Sequence, residues 1–152
     1  LVLLDIDGVL TDGKITIDCS GKEYKTIDIK DVDAVFEMKR RGYQIGLITG
    51  EATPITLFFK ERFKPEFFYS GCKNKPEALK EILEKTKLSA DNVCYVCDCK
   101  YDIPIIELIQ LSACPSNAIP EVKAIANVQL KSRGGDGCIW ELLEWLKKDS
   151  LT

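Results

Sequence analysis

The chain has 152 residues, of which 45% are hydrophobic and 30% are charged, with a formal net charge of −3. These values are typical of a globular protein of one domain, and they argue against a general nucleic-acid binder, which usually presents a basic face. No apolar run approaches the ~20 residues of a membrane span, and no signal peptide is visible. We therefore expect a cytoplasmic protein with neither a membrane nor a nucleic acid as its partner.

The chain contains no histidine and seven cysteines. Without histidine, a Ser-His-Asp or Cys-His apparatus within one chain is excluded, and acid–base chemistry must fall to carboxylates, lysines, tyrosines or cysteines. The cysteines have no regular spacing, which is typical of reduced thiols. Cys94, Cys97 and Cys99 lie close enough in sequence to suggest a metal or redox site, but structural thiols are favoured.

Short apolar runs alternate with amphipathic stretches of helical length. In chain order the pattern predicts a strand over 1–6, a β-hairpin over about 14–29, a helix over 31–42, a strand over 43–49, a helix over 54–63, a strand over 66–70, a helix over 76–88, a strand over 93–98, a helix over 103–111, a strand over 112–115 and a helix over 137–148. This alternation predicts an α/β fold with a Rossmann-like, mainly parallel sheet between two layers of helices. The hairpin would protrude from it, and because every insertion is short we expect a single domain over 1–152 without a cap domain.

Polar and charged side chains follow the predicted strands at the points where the strands end. They are Asp5, Asp7, Thr49, Glu51, Lys75, Asp98 and Asp102. In parallel sheets the ligand crevice lies at the carboxyl ends of the strands, so we expect these side chains to converge there. Neighbouring carboxylates repel unless a cation compensates, and Mg²⁺ held by one or two carboxylates, water and phosphate is the cation that this set favours.

Each of these features also has a purely structural interpretation. An Asp-x-Asp-Gly string alone is often a turn or a helix cap, Thr49 could cap a helix, and Lys75 could be a solvated surface lysine. Arg133, in the segment RGGDG, could belong to no more than a flexible entry to the last helix. The convergence of several such groups at one sheet edge favours an active site.

The string DIDGVLTDG (5–13), ITG (48–50), Lys75 and the Asp98/Asp102 pair resemble the motifs of the haloacid dehalogenase superfamily. The resemblance covers nearly the whole chain and is greatest to a capless branch, the 3-deoxy-D-manno-octulosonate 8-phosphate phosphatase family with its sialic-acid-type relatives. It implies a Mg²⁺-dependent phosphatase for a sugar-acid phosphate of sialic-acid or lipopolysaccharide biosynthesis. The candidate substrates are ketodeoxynononate or N-acylneuraminate 9-phosphate and 3-deoxy-D-manno-octulosonate 8-phosphate. It also implies a homotetramer in which the hairpin helps to complete the sites of neighbouring subunits.

The resemblance also implies the chemical role of individual carboxylates. Asp5 would be the nucleophile that becomes an aspartyl-phosphate, and Asp7 would be the general acid and then the general base. Asp5, Asp98 and the backbone carbonyl of Asp7 would hold Mg²⁺. Asp102 would orient Lys75.

Further residues are assigned to binding by the same resemblance. Thr49 and Lys75 would hold the phosphoryl oxygens. The residues that would contact the rest of the substrate are Gly50, Glu51, Arg62 and Arg133.

The chain departs from the family pattern in two segments. The motif that usually reads GDDxxD is CDCKYD at 97–102, where Cys99 replaces an acidic residue, and weaker Mg²⁺ binding is expected because this ion prefers oxygen to sulfur. Phe59 stands where relatives often carry arginine, for which Arg62 would partly substitute. Glu51 resembles the sialic-acid-type branch more than the octulosonate branch. These departures leave open a non-catalytic oligomerisation module associated with an acylneuraminate cytidylyltransferase, but the intact Asp5 favours an enzyme.

Overall fold

The structure is a computed structural model, and it describes residues 1–149. The strands are β1 Val2–Leu4, β2 Thr16–Ile17, β3 Glu23–Tyr24, β4 Ile45–Ile48, β5 Phe67–Tyr69, β6 Cys94–Val96, β7 Leu111–Cys114 and β8 Val128–Gln129. The helices are α1 Ile29–Arg40, α2 Pro54–Phe63, α3 Lys75–Thr86, α4 Ile103–Ile106, α5 Pro120–Ile125 and α6 Cys138–Asp149. None of the helices within 1–149 has the length and apolar character to cross a membrane.

Six strands form one parallel sheet in the order β5-β4-β1-β6-β7-β8. The chain builds outward from β1 to β4 and β5 on one side, and then returns to place β6, β7 and β8 on the other. The strand order therefore reverses between β1 and β6, which is where open parallel sheets of this kind form their ligand crevice. Residues that follow β1 and β6 meet at this point.

The side chains of the central strand alternate between two cores. Val2 and Leu4 pack in the core that includes residues of α1, α2 and α6, whereas Leu3 packs in the core that includes residues of α3, α4 and α5. Burial on both faces explains why β1 is a continuous apolar run, as expected for a parallel sheet covered by helices. The predicted fold class is confirmed.

The hairpin is present but its ladder is short. Thr16 pairs with Tyr24 and Ile17 with Glu23 in antiparallel register. The connecting turn is held by Asp18, whose carboxylate accepts hydrogen bonds from the backbone N–H groups of Ser20 and Lys22. Apolar side chains on the hairpin stay exposed, among them Ile15, Ile17 and Tyr24.

Several boundaries differ from the sequence prediction. The predicted helix over 103–111 ends at Ile106, where a hydrogen bond of 2.9 Å from Leu108 N to Ile105 O closes a turn. Helix α5 and strand β8 were not predicted, because six and two residues are too few to show a helical or strand period.

Candidate active site

A crevice of about 530 Å³ opens at the carboxyl ends of the strands. Its lining comes from the loops after β1, β4, β5 and β6. The lining residues are Asp5, Asp7, Gly13, Thr49, Gly50, Glu51, Cys72, Lys73, Lys75, Asp98, Cys99 and Tyr101. Most of the residues predicted to act on phosphate thus reach one space, as the strand-end pattern indicates.

The turn after β1 sets the position of Asp5. The chain runs through a wide loop over 6–10, which the hydrogen bond from Thr11 N to Ile6 O closes at 3.0 Å. Asp5 Oδ1 accepts a hydrogen bond of 2.7 Å from Ile6 N, so the carboxylate is oriented by its own turn. Gly8 adopts a φ of +78°, a left-handed conformation that favours glycine, and a β-carbon there would overlap the Asp98 carboxylate. The absence of a side chain at Gly8 therefore makes room for Asp98.

Lys75, the first residue of α3, lies at the centre of a buried polar network. Its Nζ donates to Asp5 Oδ2 at 2.8 Å, to Asp102 Oδ1 at 2.5 Å and to the Tyr95 hydroxyl at 3.3 Å. Tyr95 in turn donates to Asp102 Oδ1 at 2.6 Å. The three hydrogens of the ammonium group are thus directed at three fixed acceptors. Lys75 is not a solvated surface lysine.

The charges of this network change the acidity of its members. Burial raises the pKa of Asp5 to about 7, although Lys75 lowers it. Burial, with a further contribution from Asp102, raises the pKa of Asp98 to about 6. For Lys75, burial alone would lower the pKa, but the carboxylates of Asp5 and Asp102 outweigh it and raise the pKa. The crevice therefore has more carboxylates than cations, and a bound cation would stabilise their ionised forms.

The donor groups fit a hard divalent cation. The ligand atoms of Asp5, Asp98, Cys99 and Asp102 lie within 4.8 Å of one another. Asp102 accepts four hydrogen bonds, two on each oxygen, from Lys75, Tyr95 and Cys99, whereas each oxygen of Asp5 accepts only one. The carboxylates of Asp5 and Asp98 are therefore the ones with lone pairs left for an ion. One or two carboxylates completed by water and phosphate are the usual protein ligands of Mg²⁺.

Cys99 interacts with Asp102 and remains protonated. Its Sγ donates to Asp102 Oδ2 at 3.2 Å, and its backbone N–H donates to the same oxygen at 3.3 Å. Burial, followed by the charge of Asp102, raises the pKa of Cys99 to about 12. The residue therefore supplies a neutral thiol at neutral pH. All seven cysteines are free.

The loops after β4 and β5 are joined by backbone hydrogen bonds. Cys72 N donates to Thr49 O, and Gly71 N donates to Glu51 O, each at 2.9 Å. Thr49 does not cap α2, because Thr53 occupies that position and its backbone N–H donates to Thr56 Oγ1 at 3.1 Å. Thr49, Gly50 and Glu51 line the crevice instead.

The structure does not bring Arg62 or Arg133 to the crevice of the same chain. Both are exposed and neither is among the lining residues. Phe59 is buried in the core beside Phe63, so its ring packs inside the domain and not in the crevice.

The RGGDG segment (133–137) packs against the turn after β1. Gly135 N donates to Val9 O at 2.9 Å, and a β-carbon on Gly134 would overlap the carbonyl of Gly8. Asn117 links the two segments, accepting from Gly134 N at 2.6 Å and donating to Gly8 O at 3.3 Å. The sequence carries no motif that singles out Asn117.

Asp7 has a partner that the sequence did not indicate. Lys25, which follows β3, donates to Asp7 Oδ1 at 2.7 Å, and Thr11 Oγ1 donates to the same oxygen at 3.3 Å. Lys73 and Tyr101 also line the crevice. Among the residues that the structure describes, Lys73 forms no ion pair.

A carboxylate-lined crevice at the switch point of a parallel sheet is the usual position of the active site in an α/β enzyme. The family model for haloacid dehalogenase-like hydrolases matches residues 66–142. The 3-deoxy-D-manno-octulosonate 8-phosphate phosphatase KdsC of Escherichia coli (strain K12) is 30% identical over 146 residues, which are 96% of this chain and 78% of the relative. The chain belongs to the haloacid dehalogenase-like hydrolases and is a phosphatase.

Solved structures agree with this assignment. The 3-deoxy-D-manno-octulosonate 8-phosphate phosphatase from Yersinia pestis is 25% identical with a TM-score of 0.90, over 99% of this chain and 82% of that one. The enzyme of the same name from Moraxella catarrhalis, in complex with magnesium, phosphate and KDO, has a TM-score of 0.90 over 97% of this chain and 84% of its own. At 22% identity, that likeness shows the fold alone.

Proposed function

We propose that the chain catalyses the Mg²⁺-dependent hydrolysis of a sugar-acid phosphate through an aspartyl-phosphate on Asp5. The observation that carries the proposal is the buried contact of Lys75 with Asp5 and Asp102, next to Asp98. An oriented carboxylate, a fixed ammonium group and a second carboxylate that could share a cation with the first thus lie at one point of the crevice, which supports phosphoryl transfer.

Asp5 and Asp7 would divide the chemistry between them. A carboxylate oxygen of Asp5 forms a bond to phosphorus as the P–O bond of the ester breaks, and Asp7 gives its proton to the leaving alcohol oxygen. In the second step Asp7 takes a proton from water as the water oxygen bonds to phosphorus, and the bond to Asp5 breaks. This returns both carboxylates to their starting forms and releases inorganic phosphate.

Three further side chains would support these steps. Thr49 would hold the phosphoryl oxygens together with Lys75, whose hydrogen bond to Asp5 Oδ2 would pass to a phosphoryl oxygen as Asp5 bonds to phosphorus. Asp102 would keep Lys75 in place through its 2.5 Å contact. When bound by Asp5, Asp98 and the carbonyl of Asp7, Mg²⁺ would offset the negative charge of the transferring group.

The substrate is proposed to carry a carboxylate as well as the phosphate. The named relatives act on 3-deoxy-D-manno-octulosonate 8-phosphate, which makes this eight-carbon acid the first candidate. Glu51 lines the crevice and favours a second candidate, a nine-carbon acid 9-phosphate of the ketodeoxynononate or N-acylneuraminate type. Lys73, the exposed lysine of the lining, is suitably charged to meet the carboxylate of either acid.

The proposal includes a cytoplasmic homotetramer. Seven free thiols fit a reducing compartment. Ile15 and Ile17 leave an exposed apolar surface on one face of the hairpin, and such a surface is typical of a subunit interface. Tyr24, which pairs with Thr16, is exposed on the opposite face. A neighbouring subunit at this surface could bring Arg62 or Arg133 to the open crevice. The non-catalytic alternative is not favoured, because Asp5, Lys75 and Asp102 form an intact network.

The experiment is phosphate release from both acid phosphates, with Mg²⁺ and with EDTA, by the wild-type chain and by Asp5→Asn. We expect turnover of at least one acid that EDTA and Asp5→Asn each abolish. Absence of turnover on both acids and on 4-nitrophenyl phosphate, or turnover that survives Asp5→Asn, would overturn the proposal.

A further inference from the structure

Lys25 is a buried cation that lies outside the strand-end motifs. It follows the second strand of the hairpin, yet only 3% of its side chain is exposed, and its Nζ lies 2.7 Å from Asp7 Oδ1. A lysine is almost never buried to this extent without a partner, because removing the ammonium group from water is costly. In the described part of the chain, its ion-pair partner is Asp7. The hairpin therefore reaches back to the proposed proton donor.

The backbone around this pair is anchored. Thr11 and Ile27 form an isolated antiparallel bridge, which ties the returning strand of the hairpin to the end of the turn after β1. Thr11 Oγ1 accepts hydrogen bonds from Gly8 N at 3.3 Å and from Gly13 N at 3.2 Å. Lys25 lies two residues before Ile27, so its ammonium group reaches Asp7 from a segment that this bridge fixes.

The two oxygens of Asp7 have unequal surroundings. Oδ1 accepts from Lys25 and from the Thr11 hydroxyl, whereas no described residue donates to Oδ2. A carboxylic acid whose Oδ1 already faces two donors carries its proton on the other oxygen. The side chain of Asp7 is 32% exposed and lines the crevice.

We propose that Lys25 is a positioning residue for the proton transfer: it holds Asp7 Oδ1 and so presents Oδ2 as the atom that gives and takes the proton. The inference rests on the proposed function, since it assigns this role within that reaction. It makes the hairpin part of the catalytic apparatus of its own subunit, in addition to any contact with a neighbour.

The test compares leaving groups. The alkoxide released from 3-deoxy-D-manno-octulosonate 8-phosphate needs a proton, whereas 4-nitrophenolate leaves readily without one, and kcat/KM reports the step in which the ester bond breaks. For Lys25→Met we expect kcat/KM to fall about 10- to 100-fold on the sugar-acid phosphate and less than about 3-fold on the aryl ester. Lys25→Arg should restore part of the loss. Lys22→Met, which removes an exposed lysine of the same hairpin, should change neither value.

A second arm shows whether the effect passes through Asp7. In the double variant Lys25→Met/Asp7→Asn, we expect kcat/KM on the sugar-acid phosphate to equal that of Asp7→Asn alone. An equal loss on both esters, or additive losses in the double variant, would show that Lys25 only supports the fold and would overturn the inference. If Asp5→Asn abolishes turnover while Lys25→Met leaves it unchanged, this inference fails and the proposed function stands. If Asp5→Asn leaves turnover intact, both fail.

Discussion

Gly8 and Asp98 lie so close together that only a residue without a side chain fits at position 8. A β-carbon at that position would overlap the Asp98 carboxylate. The turn after β1 and the end of β6 are therefore packed directly against each other at the switch point of the sheet. This approach brings Asp98 to the same space as Asp5, and the proposed ion site depends on it.

Gly8→Ala is expected to abolish Mg²⁺-dependent phosphate release. The alanine would displace Asp98, and it would also strain a backbone at φ +78° by about 1–2 kcal/mol. Gly21→Ala is the matched control, because Gly21 has a φ of +83° with no atom within 4 Å of an added β-carbon. Calorimetric titration with Mg²⁺ should show lost binding in Gly8→Ala and normal binding in Gly21→Ala. Equal Mg²⁺ affinity in the two variants would contradict this account.

Mg²⁺ binding is expected to strengthen as the pH rises from 5 to 8. Burial raises the pKa of Asp98 to about 6 and that of Asp5 to about 7, so both carry protons at pH 5 that an ion must displace. Below these pKa values the ion competes with protons, and the association constant should be about 100- to 1000-fold lower at pH 5 than at pH 8.

Calorimetry in the absence of substrate separates this effect from catalysis. The protein should release protons on binding Mg²⁺ near pH 6, seen as a dependence of the measured heat on the buffer. Asp98→Asn should remove most of the binding at every pH. An association constant that does not change between pH 5 and 8 would show that neither carboxylate is a ligand with a raised pKa.

The sequence predicts the helices and strands that show a clear hydrophobic period. It does not predict contacts between residues that only the folded chain brings together. Asp5, Thr49 and Asp98 could be placed together because each follows a strand, and parallel strands end at one edge. Lys25 and Asn117 could not, since each reaches the site from a segment whose sequence carries no motif. On α1, Phe36 is large and apolar but 43% exposed, whereas Ala34 and Met38 are buried. The sequence period identifies the apolar side of a helix only broadly. Packing against α6 decides which side chains of α1 are buried.

Asp31 is a further residue that the sequence did not indicate, and its removal should destabilise the fold. It lies on α1 with 1% of its surface exposed, and its carboxylate accepts from the backbone N–H groups of Gly137, Ile139 and Trp140 at the start of α6. Asp31→Ala would leave these donors without an acceptor, at a cost of about 2–3 kcal/mol.

Urea unfolding followed by circular dichroism measures this cost. The matched control is Asp33→Ala, since Asp33 is exposed on the same helix and should change the free energy of unfolding by less than about 0.5 kcal/mol. Similar midpoints for Asp31→Ala and the wild-type chain would contradict the proposed cap.

Lys73 should contribute to substrate preference and not to phosphoryl transfer. Lys75 is held by Asp5 and Asp102, whereas Lys73 lines the same crevice, is exposed and forms no ion pair among residues 1–149. A charge-assisted hydrogen bond from Lys73 to the carboxylate of the substrate would be lost in Lys73→Ala. We expect kcat/KM to fall about 10-fold on the sugar-acid phosphate and to stay within about 2-fold on 4-nitrophenyl phosphate, which has no carboxylate.

Two further variants make the Lys73 test specific. Lys73→Arg keeps the charge and should retain most of the preference for the acid, while Lys80→Ala removes an exposed lysine of α3 and should have no effect. An equal loss on both esters in Lys73→Ala would assign Lys73 to the phosphate. No loss on either ester would mean that the carboxylate is bound elsewhere, and because Arg62 and Arg133 lie outside the crevice of their own chain, the search would then turn to the neighbouring subunit.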